Sequence, residues 1–316
     1  MSAPARPGEP RPIAAPGPAV APTRRRAGRL SRAGVRFGRE APPVSFGRIV
    51  GGYAVLGLMA VISLFPVVTI FLTGLKTDAD LMNGFFSLPT VWHWENFSKA
   101  WDQGHFGSFF VNSVIVVVPV VAISLVLSTL AGFGFARWQF RGSGVLFFLL
   151  LLGLMVPFEG VIIPLYYYMK AVGLLNTYWA LILPQIGMSV AFGTFWMRAF
   201  FRSAEPELLD AAAVDGANPL QALWRVMLPL AGPALVTLGV LFFAWTWNEF
   251  LLALVLVSDM SVRTLPVGLG FFVGQHAADV TLLAAAASIV CAPIIVVFVV
   301  FQRNFIRGMV SGAIKG

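Results

Sequence analysis

Charge is scarce in this chain. Only 11% of its 316 residues are Asp, Glu, Lys or Arg, while 58% are hydrophobic. A soluble domain carries about 25% charged residues, so an ordinary water-soluble globule is excluded. Cysteine occurs once, as Cys291 inside an apolar run. That excludes a disulfide framework or a cysteine-based metal site within one chain. The three histidines, His93, His105 and His276, are scattered and match no metal-ligand spacing. No Gly-x-x-x-x-Gly-Lys-Ser/Thr phosphate cradle occurs anywhere, and that loop is what a chain needs to hold a nucleotide's phosphates in this way. No Ser/His/Asp or metal constellation stands out either. We expect a chain with no catalytic residues, no metal and no cofactor of its own.

Net basic charge is also absent from most of the length. Residues 1–48 hold ten Arg and two Glu, while 49–316 balance at twelve Lys or Arg against twelve Asp or Glu. The net charge of +8 therefore belongs to one tail. That tail is rich in Pro, Ala and Arg and has no hydrophobic period, so it reads as disordered. Basic residues near a membrane surface attract anionic headgroups by about 1 kcal/mol each. Nucleic acid is a poorer partner, because Phe37 and Phe46 are the tail's only aromatics. Arg24-Arg25-Arg26 lacks the rest of a twin-arginine signal, and no small-residue cleavage site ends the first apolar run.

What the chain has in abundance is long apolar runs. Six of them, Val50–Thr73, Phe109–Phe135, Val145–Met169, Tyr178–Phe200, Leu230–Val257 and Thr281–Phe301, suit a bilayer core that takes about 20 helical residues to cross. Helices satisfy their own backbone groups in hydrocarbon, so the fold class is an all-α polytopic membrane protein with six transmembrane helices. Lys and Arg placement sets orientation. With a cytoplasmic N-terminus, eighteen basic residues lie inside and four, Lys76, Lys99, Lys170 and Arg263, outside. Both termini are then cytoplasmic. The outer segment after the first span carries Trp92, Trp94, Phe97 and Trp101, which read as interfacial anchors.

Between the fourth and fifth spans lies Glu207–Pro229, a polar segment with Glu207, Asp210, Asp215 and Arg225. Charge at that place is expensive unless it faces water or a partner. Ala-rich sequence favours a helix, Gly216 interrupts it, and Asn218-Pro219 starts another, since proline suits the first helical turn. A second helix is expected over Gln221–Leu228, ended by Pro229. The corner of small side chains at Asp210-Ala211-Ala212 lets another surface come close.

This segment resembles the "EAA" loop of binding-protein-dependent ABC importers, which runs Glu-Ala-Ala, three residues, Gly, nine residues, Ile-x-Leu-Pro. Here it reads Asp210-Ala211-Ala212, Gly216 and Val226-Met227-Leu228-Pro229, with Asp for Glu and Val for Ile. Further likenesses to maltose- and glycerol-phosphate-type permeases are Asn112-Ser113, Ala136-Arg137-x-x-Phe140-x-Gly142, Pro157 and Pro164, Trp247-Asn248-Glu249-Phe250, Arg263-Thr264-Leu265-Pro266 and the Gly312–Gly316 ending. The resemblance implies a type I importer fold with a permease core over 106–305. A first helix and outer segment would occupy 49–105 and a cytoplasmic tail 306–316. It implies a second homologous permease chain, two ATPase subunits that bind the ATP and Mg, and an extracytoplasmic solute-binding protein. Within the loop, 201–229, it implies ATPase coupling by Glu207, Asp210, Ala211, Ala212, Asp215, Gly216, Leu228 and Pro229.

Three polar residues within the spans, Glu159, Asn248 and Glu249, are candidates for the translocation path. Glu159 follows Pro157 at an expected kink, and Asn248-Glu249 interrupt the fifth span. A carboxylate inside a span costs about 2.5–3.5 kcal/mol on insertion scales. These residues either line a translocation path or, for Asn248 and Glu249, make interhelical hydrogen bonds. The function expected is a permease subunit for a sugar or sugar-like solute. An ion-gradient-driven transporter using Glu159 and Glu249, a membrane-embedded enzyme, and an ABC permease for a non-sugar solute are the alternatives.

Overall fold

The computed structural model describes residues 46–84, 86–138, 140–274 and 279–313, with the side chains of Arg48 and 305–313 excepted. The basic tail up to residue 45, His276 and the last three residues lie outside the described residues. The chain divides at Val55/Leu56 into two compact units. In the first, the described residues are helical throughout. Every regular element among the described residues is helical.

Helix α1 is Phe46–Thr73, so three residues assigned to the tail, Phe46 to Arg48, are helical, while the apolar span within the helix is Ile49–Thr73. Two short helices follow, α2 (Asp78–Met82) and α3 (Glu95–Gln103), then the long α4 (Phe106–Arg137). The α2 turn is closed by a capping box of Thr77 and Asp80. Thr90 donates to the Asp80 carboxylate at 2.6 Å and, with the capping bonds, holds it below the usual carboxylate range. Asn96 donates to the carbonyls of Gly74 and Lys76, which folds the segment back on the end of α1. Trp92 and Trp94 stack at 6.4 Å and remain exposed.

The third expected span is two helices, α5 (Ser143–Met155) and α6 (Phe158–Ala171), bent by 97°. Pro157 lacks the N–H that would continue the ladder and forces Val156 out of the helical region; Val156 sits at φ −72°, ψ 120°. Pro164 stays inside α6. Helix α7 (Tyr178–Ser203) is continuous, about 39 Å long at 1.5 Å per residue. Then come α8 (Pro206–Val214), α9 (Pro219–Leu230), α10 (Gly232–Trp247), α11 (Leu251–Leu256), a 3₁₀ segment at Leu265–Phe272 and α12 (Val280–Ala313). The fifth expected span is thus broken too: α10 stops at Trp247, and α9 meets α10 at 78°. The tail expected from residue 306 continues α12 as helix to Ala313. Among the described residues four helices are long and apolar enough to cross a membrane, or up to six if each bent pair is one span.

The centre is the contact of α4 with α7. A Cβ on Gly132 would lie 2.6 Å from the Met197 Cβ and 2.9 Å from the Arg198 backbone nitrogen. A Cβ on Gly193 would fall 2.1 Å from the Ser128 hydroxyl. Lipid tails are as apolar as leucine, so such helices associate by close packing of small residues, not by burying hydrophobic surface. At one end, Leu223 and Met227 of α9 pack with Phe133, Phe201 and Phe242. At the other, Ala180, Leu252, Leu256 and Val116 form a second cluster. Gly132→Val should force the two backbones apart and destabilise the protein by about 1–3 kcal/mol, read as a lower midpoint in thermal unfolding of the detergent-purified chain; an unchanged midpoint would contradict the close approach.

Candidate functional site

Helix α7 carries the chain out of the bundle and α8 turns it. Pro206 occupies the first turn of α8. The helix ends where Asp215 caps it and Gly216 takes φ +79°, a left-handed conformation that glycine adopts without steric cost. Gly216 N–H donates to Ala213 O at 3.0 Å and Ala217 N–H to Ala212 O at 2.9 Å. This pair of bonds is a Schellman stop. Asn218 then caps α9. Its side chain accepts from Gln221 N–H at 2.8 Å, and Gln221 returns the bond to Asn218 N–H at 2.9 Å, with Pro219 in the first turn. The elbow of helix, glycine turn and helix is therefore closed by backbone on the α8 side and by the Asn218 and Gln221 side chains on the α9 side.

Pro229 does not end α9. The chain widens into a π turn at Leu223–Met227 and continues to Leu230. A proline ring clashes with the carbonyl four residues back, here that of Arg225, and the wider turn immediately before it relieves that crowding. Leu223 and Met227 are fully buried and Leu209 packs against the same cluster, which anchors the elbow to α4, α7 and α10; Ala212 is buried as well.

The opposite side of α8 is open. Glu207, Asp210, Ala211 and Val214 follow one another at helical spacing and are all exposed, as are Asp215 and Gly216. Among the described residues no basic group lies within 4.0 Å of the Asp210 carboxylate. Val214 is 88% exposed. The structure thus gathers Glu207, Asp210, Ala211, Asp215 and Gly216 on one free surface. Ala212 faces inward, and Leu228 lines an apolar hollow of about 160 Å³ against Leu125 and Leu130 of α4. Val214 was not singled out from sequence; its spacing of four from Asp210 is the signal that would have found it.

Glu159 is exposed in the first turn of α6, where the helix N-terminus favours a carboxylate. A hollow of about 460 Å³ opens beside the same bend, lined by Val156, Phe158 and Tyr168. Among the described residues Asn248 and Glu249 make no interhelical bond. Asn248 Nδ2 donates to Ala244 O at 2.9 Å, and Glu249 Oε1 accepts from Leu252 N–H at 2.8 Å. Each serves backbone groups freed where α10 stops and α11 starts. Trp247 is buried and donates to Val290 O, while Trp245 is half-exposed against Phe192.

At the end of the bundle away from α8, the connection after α11 is clamped from two sides. Asn112 Nδ2 donates to the carbonyls of Ser261 and Arg263, and its Oδ1 accepts from Tyr178. Ser113 accepts from Leu265 N–H, and Asn176, at φ +60°, accepts from Ser258 and Asp259.

Residues 124–311 match the family described as binding-protein-dependent transport system inner membrane component. The chain belongs to that family. This permease is 39% identical over 252 residues to a probable ABC transporter permease, YurM, of Bacillus subtilis, covering 80% of this chain and 84% of that one. It is 33% identical to the diacetylchitobiose uptake permease NgcG of Streptomyces coelicolor, covering 90% and 92%, and 35% identical to the trehalose transport permease SugB of Mycobacterium tuberculosis, covering 84% and 97%. Its fold matches a chain in the crystal structure of a bacterial ABC transporter involved in import of the acidic polysaccharide alginate. The TM-score is 0.68 and the identity 26%, over 84% of this chain and all of that one. The protein is a multi-pass membrane permease subunit of an ABC importer.

Asn112→Ala would remove the clamp and leave two carbonyls and the Tyr178 hydroxyl without their partner. Unpaired buried polar groups cost about 1–3 kcal/mol each, so the thermal midpoint of the purified permease should fall clearly, while Tyr178→Phe, which removes one of the three bonds and keeps both that Asn112 donates, should fall less. Equal midpoints for Asn112→Ala and the native chain would remove the clamp.

Proposed function

We propose that this permease forms half of the translocation pathway for a sugar or sugar-like solute and takes its driving force from separate ATPase subunits through the α8 elbow. The observation that carries this is the exposed face of Glu207, Asp210, Ala211 and Val214 beside the Gly216 turn, on an elbow anchored to three long helices. An acidic stripe with one exposed apolar side chain suits a cleft with a basic rim and an apolar floor. Asp210 is the partner of a basic group there, and Gly216 is the corner that lets backbone approach backbone. The ATP and Mg belong to those ATPases; this chain binds neither. Movement of the docked elbows swings the spans about a central site, as in alternating access by rigid bodies. The sugar assignment draws on the diacetylchitobiose and trehalose permeases among its relatives.

The assembly would comprise a second, related permease, two ATPase subunits and an extracytoplasmic solute-binding protein. The permease core spans 106–305, the loop 201–229 faces the cytoplasm, and both termini are cytoplasmic, following the excess of basic residues on that side. Glu159, Asn248 and Glu249 line the path. All three have solvent-accessible side chains, and two of them stand at a helix break, where irregular backbone in a membrane protein is tolerated beside a cavity.

A Cβ on Gly216 would meet nothing within 4 Å, so Gly216→Val is opposed by backbone strain of about 1–3 kcal/mol and by any partner surface. We expect normal membrane insertion with lost co-purification of the ATPase and lost solute-stimulated hydrolysis; full uptake and assembly would remove the docking role. Asn248→Ala combined with Glu249→Gln should alter uptake, measured as the concentration dependence of radiolabelled solute entry. Unchanged rate and half-saturation would assign the pair to helix capping alone.

A further inference from the structure

At the end of the bundle that carries α8, four arginines gather where α4, α5 and α7 end or begin. Arg137 Nη2 donates to Ala204 O at 3.2 Å, and Arg198 Nε donates to Phe135 O at 3.3 Å. The Arg198 guanidinium also lies 3.9 Å over the Phe147 ring. Arg141 and Arg202 are exposed and, among the described residues, make no hydrogen bond. Phe135 packs on Phe140 at 5.8 Å and on Phe147 at 5.6 Å, which ties the turn bearing Arg141 to α4 and α5. Among the described residues no carboxylate comes within 4.0 Å of any of the four, and the Arg137 Nε is buried without a partner. The C-terminal carbonyls of α4 and α7 use one N–H from each of Arg137 and Arg198. Helix ends of that polarity attract cations, but they leave Arg141 and Arg202 uncompensated.

Directly beside this charge the surface is hydrocarbon-like. Val145, Leu146, Phe148 and Leu149 of α5 are all more than half exposed, and Trp138, in the turn that leads from α4 to α5, is 57% exposed. A soluble protein could neutralise the arginines but would not cover an apolar flank that continues along a membrane-spanning helix. We propose that this corner holds an anionic phospholipid, its phosphate on Arg137, Arg141 and Arg202 and its acyl chains along α5, with Trp138 at the glycerol level. Charge on one side and an apolar flank on the other match the two halves of such a lipid, and basic pockets between helices are suited to acidic headgroups.

The test places the full-length chain in phosphatidylcholine nanodiscs with increasing brominated phosphatidylglycerol. The contribution of Trp138 to fluorescence quenching is taken as the native chain minus Trp138→Phe. We expect quenching to saturate at a low mole fraction of the anionic lipid. In Arg141→Gln/Arg202→Gln the midpoint should rise roughly 25-fold, about fivefold or 1 kcal/mol for each arginine. Arg141→Lys/Arg202→Lys should restore most of it. Neither arginine bonds to another described residue, so folding is not at stake, and the basic tail is present in every variant. Equal quenching by brominated phosphatidylcholine, or an unmoved midpoint in the Gln variant, would overturn the proposal. So would quenching that vanishes when the ATPase subunits are bound, which would give the patch to a protein partner.

Discussion

The contact of α4 with α7 is what the other elements refer to. Two glycines, Gly132 and Gly193, bring the backbones so near that neither position has room for a methyl group. In water a bundle can be held by hydrophobic collapse; in hydrocarbon that force is absent, and close packing must replace it. Once the two helices are fixed, both ends of the molecule follow. At one end Phe133 and Phe201 offer the floor on which Leu223 and Met227 seat the elbow. At the other, Asn112 of α4 and Tyr178 of α7 jointly grip the connection that follows α11. The mobile-looking parts of the sequence, its loops, are thus referred to one rigid pair.

Prolines and amides shape the remaining helices by deciding where backbone groups find partners. Pro157 releases a carbonyl and turns the chain by nearly a right angle, whereas Pro164 and Pro184 remain inside helices. Pro229 is absorbed by a widened turn. Asn248 and Glu249 do by side chain what the interrupted ladder no longer does by backbone. Membrane helices tolerate such breaks where another group takes over the freed bond.

These same particulars explain which features could be read in advance. The long apolar runs announce helices because hydrocarbon permits little else; α1, α4 and α7 came close to their expected bounds, whereas α12 runs past Phe301 to Ala313. Gly216 and Asn218-Pro219 announce the elbow because left-handed backbone and helix starts have strong residue preferences. Composition is silent on straightness: Val145–Met169 and Leu230–Val257 are apolar whether or not they bend. It is equally silent on whether Glu249 reaches a neighbouring helix or its own backbone, since either satisfies the carboxylate. Val214 looked like any other valine until its neighbours placed it on the open side of α8.

The π turn at Leu223–Met227 fixes an angular phase. A π turn accommodates one residue more than an α turn, and one residue corresponds to about 100° of rotation about a helix axis. The azimuth at which the elbow leaves α10 is therefore set by a single extra residue. A homologous chain lacking that residue would turn a different side of its elbow toward the same partner, and grafting the loop between two such permeases would preserve every contacting side chain yet misdirect them all.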